Sequence, residues 1–245
     1  MATIDHVTIR TSDLEASLKL FTQVFELLDF RGQRHEGDGF YEWNDFSIAA
    51  ADAEHPPTRN VHIGFAANSP RQVDDWWRAM TASGYTNDGA PGPRPEYSPS
   101  YYGAFIRDHD NNSIEAVTHD DSNPDGAVID HLWIRVRDLD ANKGFYSGIA
   151  SAIGLRLRER HDRIQLITDR GSFSVLSDQP TENLHLALGV DSRDTVADFH
   201  RAGCAAGGRD NGQPGERPQY HPGYFGAYLL DPAGNNIEAV FHDRH

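Results

Sequence analysis

Residues 234–242 read GNNIEAVFH, and residues 111–119 read NNSIEAVTH. One glutamate, Glu238 or Glu115, sits in the same apolar frame each time. The likeness extends outward from both. ERPQYHPGYFGAY, from Glu216, matches PRPEYSPSYYGAF, from Pro93. NLHLALGV, from Asn183, matches NVHIGFAA, from Asn60, and IDHLWIRVRDLDAN, from Ile129, matches IDHVTIRTSDLEAS, from Ile4. Over the second half of each copy the offset is constant, and roughly four in ten positions are identical. A period this long means a duplicated domain rather than a solenoid.

The expected organisation is a first domain over 1–119, a polar linker DDSNPDGA over 120–127, and a second domain over 128–245. Each copy opens on a short alternating strand, IDHVTIR or IDHLWIR. A helix follows, with Leu14, Leu18, Phe21 and Phe25 at helical spacing in the first copy. Ser12 and Glu15 form a capping-box pattern at its start. Three β-rich stretches come next. A strand carrying His62 or His185 then starts the cycle again, its helix announced in the first copy by Ser69-Pro70. Each copy thus holds a βαβββ pattern twice. The fold class is α+β, two modules each curving a mixed sheet around a cavity.

Composition narrows the function. With 37 acidic and 22 basic residues, the net charge is −15. Such a surface repels phosphate, so neither nucleic acid nor an anionic membrane is the expected partner. No apolar run approaches the roughly 20 residues that span a bilayer. The strand pattern begins at the N-terminus and leaves no room for a signal peptide. Cys204 is the single cysteine. That rules out intrachain disulfides and thiolate clusters and fits a cytoplasmic protein. The helical pattern of RAGCAAGG shows no neighbouring base, so Cys204 reads as structural.

Alternation along the strands places the polar residues. Val7 and Ile9 share one face and His6 the other; Ile114 and Ala116 oppose Glu115. In the second copy His131 opposes Leu132 and Ile134, and Glu238 opposes Ile237 and Ala239. A lone strand histidine is usually packed or solvated. Here histidine, histidine and glutamate recur at near-equal separations in two otherwise drifted copies. Two imidazoles and a carboxylate on a concave face suit Fe(II), Mn(II), Zn(II) or Ni(II), with coordination positions left open.

With DPAGNNIEAV, the two H…H…E sets and four βαβββ units in hand, the chain resembles the vicinal oxygen chelate superfamily over nearly its whole length. That superfamily includes glyoxalase I, extradiol ring-cleavage dioxygenases, fosfomycin-resistance transferases and methylmalonyl-CoA epimerase, along with metal-free proteins that sequester antibiotics such as bleomycin. The resemblance implies two metal sites, on His6, His62 and Glu115 and on His131, His185 and Glu238. It also implies a small substrate chelated through adjacent oxygens, and a monomer or homodimer. Glyoxalase I usually adds a glutamate on the last strand of its first unit. Here DFSIAAAD and SFSVLSD offer none in register, and Asp52 and Asp178 stand off-centre. The pattern therefore looks more like the ring-cleavage dioxygenases and the fosfomycin-resistance enzymes; by resemblance, the active-site histidine and tyrosine of the dioxygenases would fall on His221 and Tyr228, where the first copy has Ser98 and Phe105.

Tyr97, Tyr101, Tyr220 and Tyr224 recur in the Pro-rich loops. They could line the cavity mouth and bind a phenolic or anionic substrate, or pack on the sheet. His119 with His242, and Arg34-His35 with Arg160-His161, also recur, but such strand-end and hairpin positions are ordinarily solvated. The expected function is a metal-dependent dioxygenase, lyase or isomerase; the competing class is a metal-free small-molecule binder.

Overall fold

In a computed structural model, described over residues 2–120, 122 and 128–243, His6, His62, His131 and His185 each lie in a β-strand. The first copy runs β1 (Thr3–Thr11), α1 (Leu14–Leu27), β2 (Arg34–Gly37), β3 (Phe40–Trp43), β4 (Phe46–Ala50), β5 (His62–Ala66), α2 (Pro70–Ala82), β6 (Thr86–Pro93), β7 (Tyr102–Arg107) and β8 (Ser113–Thr118). The second runs β9 (Ile129–Val136), α3 (Leu139–Ala152), β10 (Arg156–Glu159), β11 (Arg163–Ile167), β12 (Ser172–Ser177), β13 (His185–Gly189), α4 (Arg193–Ala205), β14 (Arg209–Glu216), β15 (Tyr224–Leu230) and β16 (Asn236–His242). This is βαβββ four times over. Most of the expected linker lies outside the described residues.

Two mixed sheets of eight strands result, ordered β14-β15-β16-β13-β1-β4-β3-β2 and β10-β11-β12-β9-β5-β8-β7-β6. By contacts the chain forms two compact units. Unit 1 is Met1–Thr8 with Ile134–His245, and unit 2 is Ile9–Trp133. The opening strand of each copy therefore pairs with a strand of the other copy. β1 runs antiparallel to β13, and β9 runs antiparallel to β5.

Helices form where spacing and caps agree. Ser17, Leu20, Phe21, Val24 and Phe25 are the buried face of α1. Its cap is Asp13, whose carboxylate accepts from Ala16 N, and not Ser12. Ser12 instead donates to Asp110 (2.8 Å), a stronger acceptor than any backbone group nearby. Ser69 caps α2 with Pro70 in its first turn, as expected, and Val73, Trp76 and Met80 are buried. In unit 2, Phe25, Phe46 and Phe65 meet edge-on at 5.0–5.9 Å, a core that fixes the apolar face of the sheet. Cys204 is exposed, and the sequence reading overlooked His200 one turn earlier, whose Nε2 lies 4.0 Å from Sγ.

The turn before each glutamate strand is built around a buried aspartate. Asp231 Oδ1 accepts from the backbone of Ala233 (2.9 Å) and Asn235 (2.8 Å). Tyr146, fully buried in α3, donates to its Oδ2 (2.6 Å). Burial pushes the Asp231 carboxyl up in spite of these donors. In unit 2 the corresponding Asp108 keeps its asparagine, Asn112 (2.7 Å from the backbone N), but Phe21 stands where Tyr146 does. Tyr146→Phe should therefore cost only about 1.5 kcal/mol, the low end for a hydrogen bond to a charged group, because phenylalanine packs at the twin position. Urea unfolding of the two proteins measures this; a loss above about 4 kcal/mol would mean that the tyrosine does more than donate.

Candidate metal centres

The six repeated ligand candidates are brought together in two groups, but not in the groups the resemblance implied. His6 meets His185 and Glu238, while His131 meets His62 and Glu115. The exchange of first strands is the reason. Along β1, His6 stands opposite Ala187, with Thr8 opposite His185; along β9, His131 stands opposite Gly64, with Trp133 opposite His62. The parallel pairings β13–β16 and β5–β8 set Ala187 beside Glu238 and Gly64 beside Glu115. Each group lies wholly within one unit.

The donor atoms converge. In unit 2, His62 Nε2 lies 3.0 Å from Glu115 Oε2 and 3.1 Å from His131 Nε2, and His131 Nε2 is 3.2 Å from Glu115 Oε2. In unit 1, His6 Nε2 and His185 Nε2 are 3.0 Å apart, with Glu238 Oε2 3.9 and 3.3 Å from them. Two donors about 2.1 Å from one ion lie about 3.0 Å apart at a right angle and about 3.4 Å apart at the tetrahedral angle. Five of the six separations fall near that range, so the residues fit a divalent ion. Among the described residues each group has three members. Asp52 is turned to His55 (3.0 Å) and Asp178 to Arg135 (3.3 Å), so neither serves as a fourth ligand.

A second set of residues orients the first. β1 and β9 each shift register at Asp5 and Asp130, a bulge that brings each aspartate beside the next histidine. His6 donates from Nδ1 to Asp5 Oδ2 (2.8 Å), and His131 from Nδ1 to Asp130 Oδ1 (2.9 Å). That places the proton on Nδ1 and turns the Nε2 lone pair toward the centre. His62 is held likewise: Ser113 gives its proton to Asp88 (2.9 Å), so its oxygen accepts from His62 Nδ1 (3.0 Å). Each glutamate takes a phenol, from Tyr101 to Glu115 Oε1 (2.8 Å) and from Tyr224 to Glu238 Oε1 (2.7 Å). Gly226 makes room for this, since a Cβ there would stand 2.6 Å from Glu238 Oε1.

The electrostatics follow from burial and pairing. Burial alone would raise Glu115 and lower His131. The hydrogen bonds of His131 and His62 overcome it and hold Glu115 below its ordinary value. Bonds to Asp130 and Glu115 push His131 up to about 10. Asp130 and Asp5 are held well below the usual carboxylate range, against their burial, by His119 and His131 and by His242 and His6.

His119 and His242, set aside as solvated strand ends, belong to this second set. His119 Nε2 lies 3.1 Å from Asp130 Oδ1, and His242 Nε2 lies 2.9 Å from Asp5 Oδ1. Their recurrence, together with the repeated IDH tripeptide, was the available signal. Tyr101 and Tyr224 are buried, with hydroxyls spent on the glutamates. Tyr97 and Tyr220 lie against them, ring centres 4.9 and 4.8 Å apart. His221 makes no direct bond to the ligands. Its Nε2 is 2.8 Å from His242 Nδ1, which links it through Asp5 to His6. Tyr228 pairs across the sheet with Glu238, and its ring centre is 6.3 Å from that of His185. Among the described residues its buried hydroxyl has no hydrogen-bond partner, and burial followed by the Glu238 charge pushes its pKa far up.

The profile of the Glyoxalase/Bleomycin resistance protein/Dioxygenase superfamily matches residues 3–116. That stretch, a little under half of the chain, is what is similar to the superfamily. Solved structures extend the likeness to the whole fold. Glyoxalase I from Zea mays is 17% identical with a TM-score of 0.71, covering 100% of this chain and 98% of its own. A V278E mutant of that enzyme is 18% identical with a TM-score of 0.72, covering 99% and 93%. A candidate dioxygenase from Bacillus subtilis subsp. subtilis str. 168 is 11% identical with a TM-score of 0.63, covering 98% and 85%. At these identities the likeness is one of fold. Curated proteins give no match. Among the described residues no helix is long and apolar enough to cross a membrane.

Proposed function

We propose that the protein is a divalent-metal-dependent enzyme acting on a small molecule through two adjacent oxygens. The observation that carries this reading is the convergence of two imidazole nitrogens and one carboxylate oxygen in each unit, with no fourth protein ligand among the described residues. A divalent ion held there would polarise substrate oxygens and stabilise developing negative charge. The chain's own residues do the rest. Asp5 and Asp130 fix their histidines as ligands, and Tyr224 and Tyr101 hold the glutamates so that Oε2 faces the centre. Tyr228 stays protonated across the working pH range and has a free hydroxyl to donate to an oxyanion beside Glu238.

Three ligands without a fourth carboxylate favour a ring-cleaving dioxygenase, lyase or isomerase over glyoxalase I chemistry. The sharpest version is an Fe(II) dioxygenase on a catechol-like substrate, with His221 and Tyr228 beside the unit 1 centre. Elemental analysis of chelator-free protein tests the metal reading: two equivalents per chain are expected, falling to one in Glu115→Ala and to one in Glu238→Ala. Oxygen uptake with catechols after Fe(II) loading tests the reaction class, and Tyr228→Phe should lower that turnover by roughly 100-fold. A chain that takes up no Fe(II), Mn(II) or Zn(II) would instead be a metal-free binder of small molecules.

A further inference from the structure

The two centres share their ligands but differ in access. In unit 1 the ligand side chains of His6 and His185 are 24% and 22% exposed. In unit 2 those of His62, Glu115 and His131 are 2%, 0% and 10% exposed. The difference traces to three repeat positions. Trp133 follows His131 by two residues on the same strand face, its ring centre 4.7 Å from that of His62 and 6.0 Å from that of His131. Unit 1 has Thr8 at that place. Phe105 lies 5.7 Å from His62, where unit 1 has Tyr228 with its hydroxyl. Tyr97 closes onto Trp133 at 5.6 Å, whereas its counterpart Tyr220 is 61% exposed.

Resting on the reading that both triads hold ions, we propose that the two centres have different jobs. The His62–Glu115–His131 centre is a closed structural site that Trp133, Phe105 and Tyr97 seal against substrate, while the His6–His185–Glu238 centre exchanges its ion and takes the ligand. Rings packed at a tilt against the two imidazoles crowd the approach that a bidentate substrate would need. They also exclude the water and chelator through which an ion leaves. The exchanging centre keeps a small threonine, Thr8, at the position where the closed centre carries a tryptophan, Trp133.

Cobalt(II) tests this without reference to turnover. The full chain is loaded with two equivalents and mixed with excess EDTA, and loss of the cobalt visible bands is followed. Two phases are expected, the slower at least tenfold behind the faster, with only the slow phase left in Glu238→Ala. Trp133→Thr should speed the slow phase at least tenfold. Thr8→Trp, the reverse exchange, should slow the fast one by as much and guards against Trp133→Thr failing to fold. Acetohydroxamate, a bidentate oxygen ligand, should shift the spectrum of the fast-leaving ion alone. Equal release rates in the native chain, or spectral shifts at both ions, would overturn the proposal while leaving the metal reading intact. A chain that binds no cobalt would overturn both.

Discussion

Stripped of divalent ions, the chain should be most stable on the acid side of neutrality, and Zn(II) should raise both its stability and its optimum pH. Glu115, Asp130 and Asp5 have folded pKa values held below their ordinary ones. A depressed carboxylate contributes its full stability above its unfolded value, about 4, and loses it as pH falls toward the folded value. His131 runs the other way. Raised to about 10, it contributes fully below its ordinary value of about 6.5 and loses that contribution as pH climbs through about 10. The two windows overlap between about pH 4 and 6.5, where the metal-free chain should melt highest. An ion at unit 2 needs the His131 Nε2 lone pair and must displace this proton. Affinity should therefore rise by about tenfold per pH unit over the range in which His131 is protonated. With Zn(II) at about 100 times its dissociation constant, two sites contribute about 5 kcal/mol, on the order of 10–20 °C for a chain of this size. Scanning calorimetry from pH 5 to 9, in EDTA and in Zn(II), measures both effects. Superimposable profiles in the two conditions would show that no ion occupies the triads.

All six ligand candidates were legible because a histidine or glutamate kept its place in an alternating strand twice, while neighbours such as Thr8 and Trp133 diverged. Alternation is local, and so are the caps and helix faces, which is why Ser69 and the Phe21–Phe25 face were legible as well. The grouping was not. Whether β1 lies beside β5 or β13 depends on pairing between distant strands, and both choices leave His6 on the same face of its own strand. The supporting residues were obscured by geometry of another kind. In a regular strand Asp5 would point away from His6, so IDH reads as one ligand and one surface acid; the bulge makes them a pair. His242 reads as a strand end until Asp5 is placed 2.9 Å from it. Asp13 took the cap from Ser12 because Asp110, remote in sequence, offered Ser12 a buried carboxylate.

The exchanged grouping makes its own prediction, and the effect is all or none. If each centre drew its ligands from one sequence copy, His6→Ala with Glu115→Ala would damage a single centre, and His6→Ala with Glu238→Ala would damage both. The structure requires the opposite. His6 and Glu238 stand in one group, so that double variant should retain one equivalent, held by His62, Glu115 and His131. His6 and Glu115 stand in different groups, so their double variant should retain none. Losing one of three ligands leaves two donors and an open face, which costs far more than the 10–100-fold expected for a supporting residue such as Asp5. Asp5→Asn should accordingly weaken the unit 1 ion without abolishing it, since the amide oxygen can still accept from His6 Nδ1. Metal content after dialysis against a weak chelator separates the two double variants by a whole equivalent. Retention by the His6/Glu115 pair and loss by the His6/Glu238 pair would return the ligands to their sequence copies and undo the strand exchange on which both centres depend.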